Sequence, residues 1–330
     1  MNNKTLGEGA GVPLDLHDQR FGLEIEMTGI TRQYAAQITA EYFGTSESYE
    51  GGAYYQYIAK DTTGRKWTFA RDSSVIAQRK VSGILQSAGD GYICEFVSPI
   101  CVYEDIPIIQ ELIRKFRKAG ALVNSSCGIH VHVDGFNHTA DSLARLIKLF
   151  FSKQDLIYQA LQVDTNRSRY CKKLPEHLIN QVPIKKSLSK NSLQESWYRC
   201  LSCEYDIHYA AQRHYDSSRY YGLNLHSYFY RGTIEWRMFN STLHAGKVKA
   251  YIQFCLAMSA QAINQKKAIA RPTRTTNPKF TFRTWLLHLQ LIGKEFETAR
   301  LHLLCNLTGN SAWRYREDTS PIIPTIEEET

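Results

Sequence analysis

Residues 20–27 read RFGLEIEM. Apolar and polar positions alternate along them, the period of a strand with one buried face. Successive strand side chains point to opposite faces. Leu23, Ile25 and Met27 therefore share one face, and Glu24 and Glu26 share the other, about 6–7 Å apart along the strand. Three further segments repeat the device. In YICEFV (92–97), Cys94 and Phe96 oppose Glu95. In GIHVHVDG (128–135), Ile129, Val131 and Val133 oppose His130, His132 and Asp134. In GTIEWRMF (232–239), Ile234, Trp236 and Met238 oppose Glu235 and Arg237.

The remaining pattern supplies the frame. Residues 53–59 and 65–71 are predicted strands joined by a DTTG turn, and 222–229 with 232–239 are predicted as a strand pair. Residues 31–43 form a predicted helix stopped by Gly44. Ile109, Leu112, Ile113 and Phe116 define another, with Pro107 in its first turn and Gly120 at its end. Thr139 is positioned to cap a third, whose stripe is Leu143, Leu146, Ile147 and Phe150. From about residue 245 the pattern is helical, with an irregular stretch near 270–279. Strands come singly or in hairpins between helices, with no βαβ rhythm. This predicts an α+β fold with a largely antiparallel sheet, helices on one face and the other face free for chemistry.

If the four strands load the same face, four carboxylates, two imidazoles and a guanidinium converge. Carboxylates crowded together repel, and some take up protons unless cations intervene. Oxygen donors dominate, with histidine as a minor partner, which points to Mg²⁺ or Mn²⁺ rather than zinc. The formal charge of +8 suits an anionic ligand such as a nucleotide. Together these suggest phosphoryl transfer. The eight cysteines include one CxxC, Cys200 and Cys203, without a second pair at zinc-ribbon spacing, so they read as reduced thiols. No P-loop, GxGxxG or GxSxG motif occurs. No run approaches a membrane span and the start lacks a signal pattern, so a cytoplasmic protein is expected.

Six stretches in order, FGLEIE, RDSSV, CEFVSP, CGIHVHV, RYYGLNL and GTIEWRMFNSTL, resemble the motifs of the amidoligase enzymes, a branch of the carboxylate–amine ligase superfamily. The resemblance runs from about residue 20 to about 260. It implies a glutamine synthetase-like catalytic domain, a curved antiparallel sheet with helices on its convex face. It also implies ATP and two or more Mg²⁺ or Mn²⁺ ions. A carboxylate would be phosphorylated and then attacked by an amine. By resemblance, Glu24, Glu26, Glu95, His130 and Glu235 are metal ligands. His132 lies nearer the phosphates, and Arg237 stabilises the group in transfer. Arg219, Tyr220 and Asn224 line the substrate or nucleotide pocket, and Asp72 and Ser74 match a further motif. Asp134 and Glu204 are candidates for the base acting on the amine.

The domain expectations follow. Residues 1–19 form a polar leader, 20–260 the catalytic domain, 261–318 a helical extension and 319–330 a disordered tail. Within the domain, 167–190 is a basic loop or lid holding seven Lys/Arg against Glu176. That loop suggests that one of the two substrates, a small molecule or a peptide, is acidic. Two other readings stay open here. One is a metal-dependent hydrolase using the same cluster without ATP. The other is a basic nucleic-acid-binding protein stacking bases on its tyrosines.

Overall fold

The structure is a computed structural model, and it describes residues 13–182 and 188–313. In chain order the elements are β1 (Phe21–Met27), α1 (Arg32–Phe43), β2 (Glu47–Gly51), β3 (Gln56–Lys60), β4 (Lys66–Ala70), β5 (Gln78–Val81), β6 (Ile84–Ser87), β7 (Cys94–Val97), α2 (Ile106–Lys118), β8 (Gly128–Asp134) and α3 (Ala140–Leu161). There follow α4 (Glu176–Gln181), α5 (Lys190–Leu201), α6 (Ile207–Gln212), β9 (Leu223–Asn224), α7 (His226–Arg231), β10 (Thr233–Asn240), α8 (Ala245–Asn264), α9 (Pro278–His288) and α10 (Glu297–Leu304).

Eight strands form one sheet in the order β2-β3-β4-β7-β1-β8-β10-β9. Every pairing in it is antiparallel. The protein is therefore α+β, as the alternation indicated. The apolar sheet face carries Leu23, Ile25, Phe69, Phe96, Val131 and Trp236, all buried in one cluster with side chains of α2, α3 and α8. Phe116 of α2 packs edge-on against Phe69 and Phe96, and Phe150 of α3 against Trp236. Helix ends follow their sequence signals. Thr31 and Thr139 accept backbone N–H bonds as N-caps, and Gly44 closes α1 in the left-handed conformation.

Several expectations are revised. Residues 222–229 are not a strand. Only Leu223 and Asn224 pair with β10, and the chain then turns into α7. The Asn224 side chain accepts from the Ser227 N–H, and Gly232 at φ 85° stops the helix, so local capping overrides the apolar alternation. The strand expected over 53–59 begins at Gln56, after a turn in which Tyr55 takes φ 47°. Its partner β2 and the hairpin β5–β6 had no apolar signal to announce them, being largely exposed.

The basic stretch is anchored where it begins. Arg167 is buried, and Lys173 pairs with Asp155 at 2.6 Å. The backbone of Lys172 bonds Tyr220 and Gly222. Lys185 and Lys186 lie outside the described residues, as do residues 1–12 and 314–330, which include the expected tail. Of the leader, Leu16 is buried and Leu14 bonds Asn264 at the end of α8. Among the described residues, no helix is long and apolar enough to cross a membrane.

Phe96 shows how the two faces depend on each other. It is fully buried among Trp67, Phe69 and Phe116, with ring centroids 5.6–5.8 Å away, and its neighbour Glu95 points to the opposite face. Phe96→Ala is expected to lower unfolding stability by about 3–5 kcal/mol, read as a fall in the urea midpoint without a change in slope.

Candidate active site

The opposite sheet face is read off the register, because residues directly opposed in adjacent strands share a face. Glu26 lies opposite Glu95, and Glu24 lies opposite His130. His132 faces Gly22 on one side and Glu235 on the other, and Glu235 in turn faces Asn224. Asp134 faces Thr233. After Trp236 the pairing of β10 with β8 slips until Phe239, a bulge that spans Arg237.

These side chains meet. Glu24, His130 and Glu235 offer ligand atoms within 4.8 Å of one another, and so do Glu26, Glu95 and His130. His130 belongs to both groups. Its Nδ1 lies 3.0 Å from Glu24 Oε2 and 3.7 Å from Glu235 Oε1. His132 Nε2 lies 3.2 Å from Glu24 Oε1 but outside hydrogen-bond geometry, which leaves this buried nitrogen unsatisfied. Asn224 Nδ2 donates to Glu235 Oε2 at 2.6 Å. Arg237 donates to Glu235 and, through Nε, to the Tyr170 carbonyl at 3.3 Å. The pair is buried, so each charge leans on the other.

Burial and neighbours divide the charges unequally. Burial pushes Glu26 up to about 7, helped by Asp72 and opposed by Arg167. Burial together with Glu24 and Glu26 drives Glu95 well above the ordinary carboxylate range. Burial would also raise Glu24 and Glu235. His132 and His130 outweigh it at Glu24, and Arg237 and the histidines bring Glu235 down to about 2. Burial and then Arg237 lower His130 to about 4, so it is neutral and keeps a lone pair to give. His132 also suffers burial, but Glu24 and Glu235 raise it.

This donor set fits divalent cations. Neutral His130 keeps a lone pair for such an ion, and Glu26 and Glu95, whose carboxyls burial and then neighbouring carboxylates push up, would be relieved by positive charge among them. Beside Glu24 and His132 opens a cavity of about 600 Å³. Its wall includes Gly22, Phe136, Lys190 and Arg231.

The sequence-derived set does not converge completely. Glu24, Glu26, Glu95, His130, His132, Asn224, Glu235 and Arg237 come together. Arg219 does not pair with a carboxylate among the described residues. It lies over the rings of Tyr215 and Tyr220, at 5.0 and 5.9 Å, and donates to the His214 carbonyl. Asp134 is engaged by Arg20 at 2.5–2.8 Å, and Glu204 faces Arg213 at 3.3 Å, so both base candidates already have cationic partners. Asp72 stands near enough to raise Glu26 and Glu95. Sequence reasoning missed Arg167, Lys190 and Arg231. It also missed Gly128, where an added Cβ would stand 2.1 Å from Arg167 Nη2 and whose lack of a side chain was itself the available signal.

Fold and face together define an α+β protein whose antiparallel sheet carries two side-chain clusters able to hold metal ions. The chain belongs to the family described as "putative amidoligase enzyme", whose model matches residues 17–259. That membership places it with enzymes of the ligase kind. No curated protein matches the chain. A bifunctional glutathione synthetase from Pasteurella multocida is similar over 87% of this chain and 47% of its own, at 14% identity and a TM-score of 0.36. The chain thus spans about half the length of that protein, and no argument rests on the likeness.

The raised Glu26 carboxyl has a consequence for stability. Its folded pKa of about 7 exceeds the ordinary 4.5, so the folded state holds the proton more tightly. The resulting stabilisation is complete below about pH 4.5 and is lost as pH rises through about 7, an effect of about 3 kcal/mol at most. In metal-free protein, the advantage of wild type over Glu26→Gln is expected to shrink across that window. Urea unfolding of both proteins at several pH values checks it. Comparison with the variant removes the opposite trends of Glu24 and Glu235.

Proposed function

We propose that the protein is an ATP- and Mg²⁺-dependent carboxylate–amine ligase. The observation that carries the reading is the pair of carboxylate triads joined through His130 and flanked by Arg237 on one sheet face. Family membership supports the ligase class, and the donor chemistry supports Mg²⁺ or Mn²⁺. The domain is read as glutamine synthetase-like, and the protein as cytoplasmic.

In the proposed reaction a carboxylate takes the terminal phosphoryl group of ATP. An amine then attacks the acyl phosphate, and an amide or isopeptide bond forms with release of ADP and phosphate. Amide formation in water is uphill, and the acyl phosphate provides the leaving group. Glu24 and Glu235 would hold one ion and Glu26 and Glu95 a second, with the single lone pair of neutral His130 serving one of the two. Bound ions would neutralise phosphate oxygens and charge developing in transfer.

The chain's own groups do the remaining work. Neutral His130 offers a lone pair without first losing a proton. His132, which Glu24 and Glu235 push toward the charged form, stands at the edge of the 600 Å³ cavity, where Lys190 and Arg231 add positive charge. That cavity suits the nucleotide. Asn224 fixes one oxygen of Glu235 and leaves the other to Arg237. Arg237 presents a fork of donors that suits anionic oxygens in transfer. The substrates are read as small molecules or peptides, one of them acidic.

The test is incubation with ATP, Mg²⁺ and pools of carboxylates, amines and peptides, scored by ADP release and new masses. ATP binding measured by calorimetry should require the metal. Equal affinity in EDTA would sink the reading, and cleavage of substrates without ATP would favour a hydrolase using the same cluster. Arg237→Lys keeps a positive charge beside buried Glu235 but loses the fork. It is expected to lower kcat by about 10²–10³ with a much smaller change in KM for ATP. Glu235→Ala should instead weaken metal-dependent ATP binding itself.

A further inference from the structure

Arg167 is an unusual residue to find here. It is 3% exposed, and among the described residues it has no carboxylate within ion-pairing distance. A buried arginine without such a partner is costly unless its donors and charge are used. Its donors go to backbone. Nη1 bonds the Phe239 carbonyl at 2.5 Å and Nη2 the Arg237 carbonyl at 3.2 Å. Both carbonyls lie in the irregular part of β10, where the register with β8 slips between Trp236 and Phe239. Bulges of this kind re-aim side chains, and here the bulge carries Arg237.

The space for the guanidinium is made by Gly128. A Cβ on that residue would stand 2.1 Å from Arg167 Nη2 and 2.6 Å from Cζ. The N–H of the same Gly128 donates to Glu26 Oε2 at 2.6 Å. A second tie runs through the chain that follows. Tyr170, whose N–H bonds the Arg167 carbonyl, accepts the Nε–H of Arg237 on its own carbonyl. One short segment therefore grips Arg237 by its main chain and by its side chain.

We propose that Arg167, seated in the slot left by Gly128, is a positioning residue of the active site. It fixes the β10 bulge so that Arg237 points at the carboxylate–histidine cluster. The assignment rests on the ligase reading for its effect on turnover. The lock between Arg167 and Gly128 is an independent structural claim.

The test uses the full chain and four variants: Arg167→Lys, Arg167→Met, Gly128→Ala and the Gly128→Ala/Arg167→Met double. Arg167→Met is expected to lower kcat by about 10²-fold, the scale of a misplaced catalytic group, with KM for ATP changed far less. Mn²⁺ affinity, followed by electron paramagnetic resonance, should stay close to wild type, because the Arg167 donors go to backbone carbonyls and not to a metal-binding carboxylate. Arg167→Lys keeps the charge without the two-carbonyl fork, so it should fold, retain Mn²⁺ affinity and still lose turnover. That separation is one a purely structural arginine would not produce. Gly128→Ala should reproduce the Arg167→Met defect, yet cost nothing further when Met occupies position 167. A folded Arg167→Lys with wild-type kcat would overturn the positioning role, and additive effects of the two substitutions would overturn the lock. A wild type without metal-dependent ATP binding would instead bring down the ligase reading, while the additivity measurement would still decide the lock.

Discussion

Four buried or half-buried carboxylates on one face of a sheet repel one another, and the rest of the site is arranged around that repulsion. Glu24, Glu26, Glu95 and Glu235 cannot all be ionised in a low-dielectric setting without positive charge among them. The structure answers differently at each. Glu24 leans on two histidines, and Glu235 on Arg237 and Asn224. Glu26 and Glu95 are left undercompensated, and their carboxyls are pushed up, Glu26 to about 7 and Glu95 well above the ordinary range. The face is thus divided into a half near the cavity whose carboxyls are held down and a half near Asp72 whose carboxyls are pushed up, with His130 between them.

That division depends on the apolar side of the same strands. Side-chain direction in a strand has a period of two, so a slip of one residue would turn Glu24 and Glu26 into the core and Ile25 toward solvent. The aromatic cluster of Trp67, Phe69, Phe96 and Phe116 holds β4 and β7 in register. Phe150 against Trp236 does the same for β10. Packing on one face therefore fixes the carboxylate geometry on the other. The energy holding like charges together comes from apolar burial a few ångströms away.

This coupling explains what could be read in the sequence. The strands β1, β7, β8 and β10 were legible because each pairs a clean apolar face with charged or imidazole residues, and those residues come together. Strand β2 and the hairpin β5–β6 were not, because exposed strands carry no periodic apolar signal. The helix α7 was hidden by alternation in NLHSYF, where the decisive contact is the Asn224 side chain capping a turn. Arg167 sat in a basic stretch and looked like a solvated charge. Only the three-dimensional meeting of Gly128 with that guanidinium reveals it as buried. Arg219 shows the converse. A motif drew it toward the site, while its actual surroundings are the rings of Tyr215 and Tyr220.

The two histidines of one strand show how finely position controls chemistry. His130 and His132 are two residues apart, point to the same face and are both buried. Yet one is held neutral and the other is pushed toward the charged form. The difference lies in their neighbours. For His130, burial and the nearby guanidinium of Arg237 disfavour a proton, outweighing Glu24 and Glu235. For His132, Glu24 and Glu235 prevail over the same burial, and the opposing arginine, Arg231, exerts the weakest influence. Arg237, aimed from the bulge, thus adds to burial in keeping His130 neutral. A neutral imidazole at the junction of two carboxylate groups can give its one lone pair to an ion on either side. An imidazole pushed toward the charged form beside the cavity suits an anionic ligand, and that push comes from the two carboxylates facing it.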